Sequence, residues 1–275
     1  MVDWLNILKT CSGNMKKQVQ PLYGSPEAMI GFGRGAGGDV KRKIDLVAED
    51  ALFRTLVKHN ISCTVISEES GVKQIGSEPS SFYVVADPVD GTTNALRGLP
   101  FLDISLAVST KPTLSDVKIA LVADGLRDVI YTAVRENGAF KNDMKIEPSG
   151  TAKLEEAVVG VDLNTFKTRQ LTDQLIGVLR KSRHIRHLGA NALEICYVAD
   201  GTTDAFIDIR GKLRVTDMAA AQLILKEAGG KITTPEGNEL DVALDTDQRV
   251  SFVGTGNRSI HEAIMKNMRI NTENS

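Results

Sequence analysis

Ala86-Asp87-Pro88-Val89-Asp90-Gly91-Thr92-Thr93-Asn94 closes an apolar run, Phe82 to Ala86, that reads as a buried strand. Two carboxylates three residues apart, a proline and then Gly-Thr-Thr-Asn predict that the strand ends in a tight turn opening a helix. Asp87 and Asp90 are acceptor-only side chains suited to a hard divalent cation. Gly91, Thr92 and Thr93 offer backbone N–H groups and hydroxyls where a phosphate would sit. The pairing points to metal-assisted phosphate chemistry. The same residues are ordinary turn formers, and Asn94 could simply cap a helix, so a structural turn stays open until other carboxylates join the site.

Working outward towards the amino terminus, Ser62 to Ser67 reads as a short strand running into Glu68-Glu69, with a polar loop from Gly71 to Ser81 before the central strand. Two adjacent strands would then deliver Glu68 and Asp87 to one sheet edge, the usual place for a site in open sheets; solvated loop acids are the alternative. Ile44 to Leu56 carries one apolar stripe and predicts a helix with Asp45 near its start, where the helix dipole alone would favour an acid. Before it, Gly33, Gly35 and Gly38 match GxGxxG, but without a clear strand ahead or a helix directly behind. A glycine-rich loop over a site, or a linker, suits that stretch better than a dinucleotide fingerprint. Trp4, Leu8, Cys11, Met15 and Val19 fall at helical spacing after Asp3, a cap, and predict a packing helix ending near Pro21.

Towards the carboxyl terminus, Ile104 to Val108, Val117 to Ala123 and Val129 to Val134 read as strands joined by turns at Asp124-Gly125 and Asn137-Gly138. From Gly150 the pattern alternates: strand to Leu163, helix Thr172 to Leu179, strand near His184 to His187, helix Asn191 to Ala199, strand Thr203 to Ile209. This predicts two halves, residues 1–149 and 150–275, each with its own sheet. Thr216 reads as the cap of a helix with Asp217 in its first turn and Gly229-Gly230 as its stop. Strands at Ile232 and Val250 to Val253, a closing helix to Met268 and a frayed Asn271 to Ser275 complete the pass.

Over 275 residues, a formal net charge of -2 leaves no electrostatic footprint for nucleic acid or a membrane surface, and basic clusters such as Lys41-Arg42-Lys43 read as solvated faces. Cys11, Cys63 and Cys196 stand far apart without a CxxC, and His59, His184, His187 and His261 form no HExxH, so an oxygen-ligated metal fits better than zinc. The acidic start, with neither a basic leader nor a long apolar run, predicts a cytoplasmic protein without a membrane span.

Taken in order, Glu68-Glu69, Asp87-Pro-Val-Asp90-Gly-Thr92-Thr-Asn94, and Thr216-Asp217-Met-Ala-Ala with Glu227-Ala-Gly-Gly230 behind it resemble the inositol monophosphatase family of lithium-sensitive, magnesium-dependent phosphatases. The glycine-rich loop with Arg34, then Asp39 and Asp45, and the Asp208-Ile-Arg210-Gly-Lys-Leu-Arg214 segment look most like the archaeal-type inositol monophosphatase/fructose-1,6-bisphosphatase branch. The resemblance implies an α/β, five-layered α-β-α-β-α sandwich of the sugar phosphatase type, a site between the halves, a homodimer, and two or three Mg2+ per site. It implies that Glu68, Asp87, the Val89 carbonyl, Asp90 and Asp217 bind the metals. Glu68 and Thr92 would orient an attacking water, and Asp45 would hydrogen-bond Thr92. Asp90, Gly91, Thr92, Gly189, Ala190 and Asp208 would contact the substrate, a small phosphorylated polyol or sugar.

Clustered carboxylates about 4 Å apart would repel by ~4 kcal/mol per pair at an effective dielectric near 20, so the set makes sense with cations between them. Thr216 and Ala95 stand where the family usually has aromatics, which alters substrate packing rather than the ligand set. The Arg210-Gly-Lys212-Leu-Arg214 loop is longer than in animal members; its cations meet a second phosphate or form a solvated charged turn. Three other functions compete. A haloacid dehalogenase-type phosphatase also has Asp-Gly-Thr, but with its aspartates two apart near the amino terminus. A 3′-phosphoadenosine 5′-phosphate or NADP phosphatase stays within the family, and a catalytically silent binding module would keep only the fold.

Overall fold

Residues 2–36, 40–77, 80–164 and 169–268 are described by the structure, a computed structural model. The amino-terminal helix α1 (Trp4–Val19) is capped by Asp3, whose carboxylate accepts from the Asn6 N–H at 3.1 Å. After it come the hairpin strands β1 (Gly31–Arg34) and β2 (Val40–Arg42), then α2 (Lys43–Lys58). The strands β3 (Cys63–Ser67), β4 (Gly71–Ile75) and β5 (Tyr83–Asp90), the short helix α3 (Thr92–Arg97), and β6 (Asp103–Ser109), β7 (Val117–Asp124), β8 (Ile130–Val134), β9 (Ala139–Lys141) and β10 (Met144–Lys145) follow. Eight of these strands form one sheet in the order β10-β9-β8-β7-β6-β5-β3-β4. Within it β3 and β5 run parallel, so both end at the same edge.

Beyond residue 157 the elements are β11 (Val158–Val161), α4 (Arg169–Lys181), β12 (His184–Arg186), α5 (Asn191–Ala199), β13 (Ala205–Arg214), α6 (Ala219–Ala228), β14 (Lys231–Thr233), β15 (Arg249–Thr255) and α7 (Arg258–Asn267). Their five strands make a second sheet in the order β12-β11-β13-β15-β14.

Strand alternation sorts the apolar side chains into three cores. From β5, Val84 and Ala86 pack with α1 and α2 residues such as Leu8, Met15 and Leu52, whereas Val85 points the other way, among residues of α5 and α6. From β13, Phe206 joins that same middle core, while Ala205 and Ile207 pack with Val178 of α4 and Ile260 and Ile264 of α7. The layers therefore run α1/α2, large sheet, α5/α6, small sheet, α4/α7, the five-layered sandwich that the family resemblance implied. No helix among the described residues is long and apolar enough to cross a membrane.

Several local expectations are corrected. The Gly71 to Ser81 loop contains β4, an edge strand whose central residues are exposed, so it lacks the apolar alternation that marks a strand. The glycine-rich stretch forms a hairpin in which Gly31 and Gly33 are themselves strand residues, which removes the strand-then-helix setting of a dinucleotide site. Gly37, Gly38 and Asp39 lie outside the described residues, as do Asn271 to Ser275. The central strand runs on to Asp90 and Gly91 is the residue that caps α3, not Asn94. Arg210 to Arg214 is no free loop: it is the far end of β13, with Arg210 to Lys212 in a break in register and Leu213 and Arg214 paired again with Val250 and Arg249. Asp217 closes a 3-10 turn, Val215–Asp217, and α6 begins only at Ala219, so Thr216 does not cap it.

His261 of α7 is buried and its Nε2 lies 2.9 Å from the Thr233 hydroxyl. Burial, then the charge of Lys231, presses its pKa down to about 4. The folded chain therefore holds the ring neutral where the unfolded chain would already be protonated. Stability is full above about pH 6.5 and is lost as pH falls towards 4, by up to about 3 kcal/mol. Urea midpoints at pH 7 and pH 4.5 test this: His261→Gln, which keeps a polar partner for Thr233 without titrating, should lose markedly less stability than the wild type across that interval.

Candidate active site

Register decides the geometry of the central motif. Asp87 pairs with Ser105 and Asp90 with Asp103, so β5 holds an extra residue between them relative to β6. Pro88 lies in that irregular stretch, where a missing N–H costs the ladder least. Ser67, the last residue of β3, pairs with Ala86, so Glu68, just past the end of β3, stands beside Asp87 of β5. Asp217 arrives from the other half of the chain on its 3-10 turn. Among the described residues, Glu68, Asp87 and Asp217 each place a carboxylate oxygen within 4.8 Å of the others.

These groups are held in a state that resists ionisation. The Asp87 carboxyl is pushed well above the usual range, first by burial and then by Glu68, Asp217 and Asp90. Glu68 is raised by burial and Asp217, and Asp217 by burial, with Arg214 opposing both shifts. Asp90 is raised by burial and by Asp103, although its Oδ2 accepts the Ala192 N–H at 2.6 Å, at the start of α5. An oxygen-only donor set whose members repel one another fits a hard divalent cation, which would supply the missing positive charge. The Val89 carbonyl accepts from the Thr92 hydroxyl at 3.0 Å and keeps a second lone pair.

The turn beside this cluster is built on Gly91, in the left-handed region at φ +87°. The Thr92 hydroxyl lies 3.1 Å from Asp45 Oδ1, and the other Asp45 oxygen accepts the Arg42 N–H at 3.2 Å. Burial and then Glu69 raise the Asp45 carboxyl to about 7.

The opposite wall comes from the second half. Its Leu188–Gly189 turn is clamped from two sides: Asn94 Nδ2 donates to the Leu188 and Phe101 carbonyls, each at 2.7 Å, and Glu194 Oε1 accepts the Gly189 N–H at 2.9 Å. Burial raises Glu194 to about 7 despite that hydrogen bond. Arg210 donates to both oxygens of Asp208, Nε at 2.9 Å and Nη2 at 2.6 Å, and also meets Asp162 at 2.7 Å. Arg214 Nη1 lies 2.9 Å from Glu68 Oε1.

One cavity of about 850 Å³ is lined by Asp45, Glu68, Asp87, Val89, Asp90, Gly91, Thr92, Gly189, Arg210, Arg214 and Asp217. Ala190 and Asp208 are fully buried behind it, and Asn191 and Arg210 face the space in their stead. The sequence reading missed Asp162, His187 and Glu194 as parts of the site, whereas Lys212, which it had named, does line the cavity. Asp162 carried a usable signal, because it ends the strand Val158–Val161 as Glu68 follows Cys63–Ser67. Glu194, on a helix, carried none.

Similarity to known proteins follows the same outline. The model of the inositol monophosphatase family matches residues 24–273. A fructose-1,6-bisphosphatase/inositol-1-monophosphatase of Methanothermobacter thermautotrophicus is 37% identical over 276 residues, covering 97% of each chain. A bifunctional NADP phosphatase/NAD kinase of Methanococcus maripaludis is 31% identical and aligns over 96% of this chain but 49% of its own length. The solved structure of an inositol monophosphatase-fructose 1,6 bisphosphatase superimposes with a TM-score of 0.86 at 28% identity, covering 97% of this chain and 100% of the other. Agreement that extends over nearly the whole length, in sequence and in backbone alike, means that this chain belongs to the inositol monophosphatase family, a family of metal-dependent phosphatases.

Proposed function

We propose that the chain is a Mg2+-dependent phosphomonoesterase that hydrolyses inositol monophosphate, fructose 1,6-bisphosphate or both, with two or three Mg2+ per site. The observation that carries the reading is the convergence of Glu68, Asp87 and Asp217 within 4.8 Å, in a cavity that also contains Gly91 and Thr92. Glu68, Asp87, Asp90, Asp217 and the Val89 carbonyl would hold the ions. Bound there, Mg2+ supplies Lewis-acid polarisation of the phosphoryl group, lowers the pKa of water and neutralises the leaving oxygen. The protein's own part is placement. Thr92 donates its hydroxyl hydrogen to Asp45 or the Val89 carbonyl, which leaves its lone pairs to accept a hydrogen bond from the attacking water, aligned with help from Glu68. As the water attacks, its proton would pass to the Thr92 oxygen while the Thr92 hydroxyl proton moves on to Asp45. Backbone N–H groups of Gly91 and Thr92 would hold the phosphate, and the clamped Gly189 turn would meet the polyol ring, with Ala190 shaping it from behind. Asp208 would act through Arg210, which it orients. Three buried free cysteines suit the reducing cytoplasm proposed for it, where it would work as a homodimer.

A second reading, an NADP or 3′-phosphoadenosine 5′-phosphate phosphatase, is favoured by the cavity, whose volume lies in the range that encloses ligands larger than one sugar ring. Phosphate release from inositol 1-phosphate, fructose 1,6-bisphosphate, 3′-phosphoadenosine 5′-phosphate and NADP, with and without Mg2+, ranks these substrates. No Mg2+-dependent release from any of them would favour the silent module.

Arg210 and exposed Lys212 lie on the wall where a second phosphate of a bisphosphate would sit. Arg210→Ala and Lys212→Ala should each raise KM for fructose 1,6-bisphosphate by about tenfold while changing KM for inositol 1-phosphate much less, since a charge-assisted contact to phosphate is lost in one substrate only. Equal changes for the two substrates would remove the second-phosphate role.

A further inference from the structure

Arg214 is placed unlike the other cations of the cavity. Its guanidinium Nη1 lies 2.9 Å from Glu68 Oε1 and 4.0 Å from Asp217 Oδ2, and its side chain is 13% exposed. Its backbone N–H donates to the same Asp217 oxygen at 3.3 Å. One residue thus joins carboxylates from the two halves of the chain, one following β3 and the other closing the turn after β13. Lys212, two residues away on the strand, is exposed instead. The guanidinium contacts Glu68 and stands beside Asp217, two of the three carboxylates that converge to offer a divalent cation its ligands.

We propose that Arg214 is the resident counter-cation of the carboxylate cluster: it competes with divalent cations for Glu68 and Asp217 and so sets their affinity low, rather than serving as a substrate-phosphate ligand. The inference rests on the metal-site reading above. A guanidinium is always charged and matches a carboxylate edge geometrically, so it can hold these groups together without an ion. A bound cation must then share or displace it and feels its repulsion at close range. The site would stay assembled in the absence of metal and would load only at high cation concentration.

The sign of one measurement separates this from simple scaffolding. Mg2+ binding to the whole protein is followed by titration calorimetry for the wild type, Arg214→Met and Arg214→Lys. Thermal midpoints are recorded in EDTA and in excess Mg2+, and circular dichroism checks that each variant is folded. Methionine keeps the length and removes the charge; lysine keeps the charge. Arg214→Met is expected to bind Mg2+ at least about tenfold more tightly. It should melt earlier in EDTA and show a larger Mg2+-induced rise in midpoint than the wild type. Arg214→Lys should stay within about threefold of the wild-type affinity, because a point charge remains. Unchanged or weaker Mg2+ binding by folded Arg214→Met would overturn the proposal and make Arg214 a scaffold. Equally tight binding by Arg214→Lys would overturn it too, since the charge would not be the cause. If neither the wild type nor Arg214→Met binds Mg2+, the metal-site reading fails and this inference with it.

Discussion

Replacing Asp87 with asparagine should abolish Mg2+-dependent phosphate release while making the cation-free protein more stable. The two effects share a cause. Asp87 sits between Glu68, Asp217 and Asp90, and burial with their combined charge raises its carboxyl well above the usual range. Its Oδ1 accepts the Val89 N–H at 3.1 Å, a bond that an amide oxygen can keep. Asparagine therefore preserves the turn and removes the charge that repels its neighbours, which should raise cation-free stability by about 1–3 kcal/mol. It also removes a charge that the cation requires, and turnover should fall by about 10^3-fold or more, equivalent to several kcal/mol of transition-state stabilisation. Urea unfolding in EDTA and phosphate release in Mg2+ measure the two sides. Asp87→Asn with wild-type turnover would place the chemistry elsewhere, and a less stable cation-free variant would contradict the repulsion argument.

Gly91→Ala should be the most damaging single methyl group that can be added near the site. Gly91 has φ +87°, and a Cβ there would stand 2.9 Å from the Phe101 carbonyl oxygen, 3.1 Å from Ala190 Cβ and 3.2 Å from Leu102 Cα. Two of these three neighbours are backbone, which cannot swing aside. Left-handed strain and the clash together should cost about 2–4 kcal/mol, and because Thr92 is the next residue, activity should drop by about 10^2-fold as well. Gly98 at the other end of α3 provides the control: its φ is +70°, but the nearest atom to an added Cβ is 3.9 Å away. Gly98→Ala should cost only about 1 kcal/mol and leave turnover close to wild type. Equal losses in both variants would show that backbone strain matters here and close packing does not.

The strands and helices of each half were legible from local periodicity, whereas their stacking into five layers was implied only by the family resemblance. Val84, Val85 and Ala86 had to face alternate sides, and the stripes of α1 and α2 had to cover one of them. The central acids stood out because Asp87 and Asp90 follow an apolar strand, yet by themselves they could equally form a structural turn, and Glu68 and Asp217 were needed to make them a site. Where the reading went astray, the deciding interaction lay between residues distant in the chain. Strand β4 was hidden because edge exposure removed its pattern. Thr216 looked like a cap because serine and threonine usually cap, but its hydroxyl is turned to Asp217 Oδ1 at 2.9 Å.

By itself the sequence determined the donor types, the oxygen-rich character of the site and the order in which strands and helices follow one another, since these depend on side-chain chemistry and on periods of two and 3.6 residues. Only the tertiary structure decided which of those residues meet. It turned Asp208 inward to hold Arg210, set Glu194 and Asn94 on opposite sides of the Gly189 turn, and laid Arg214 between Glu68 and Asp217. Each of these contacts joins elements whose register and packing are fixed by burial across the whole chain, and no window of neighbouring residues contains that information.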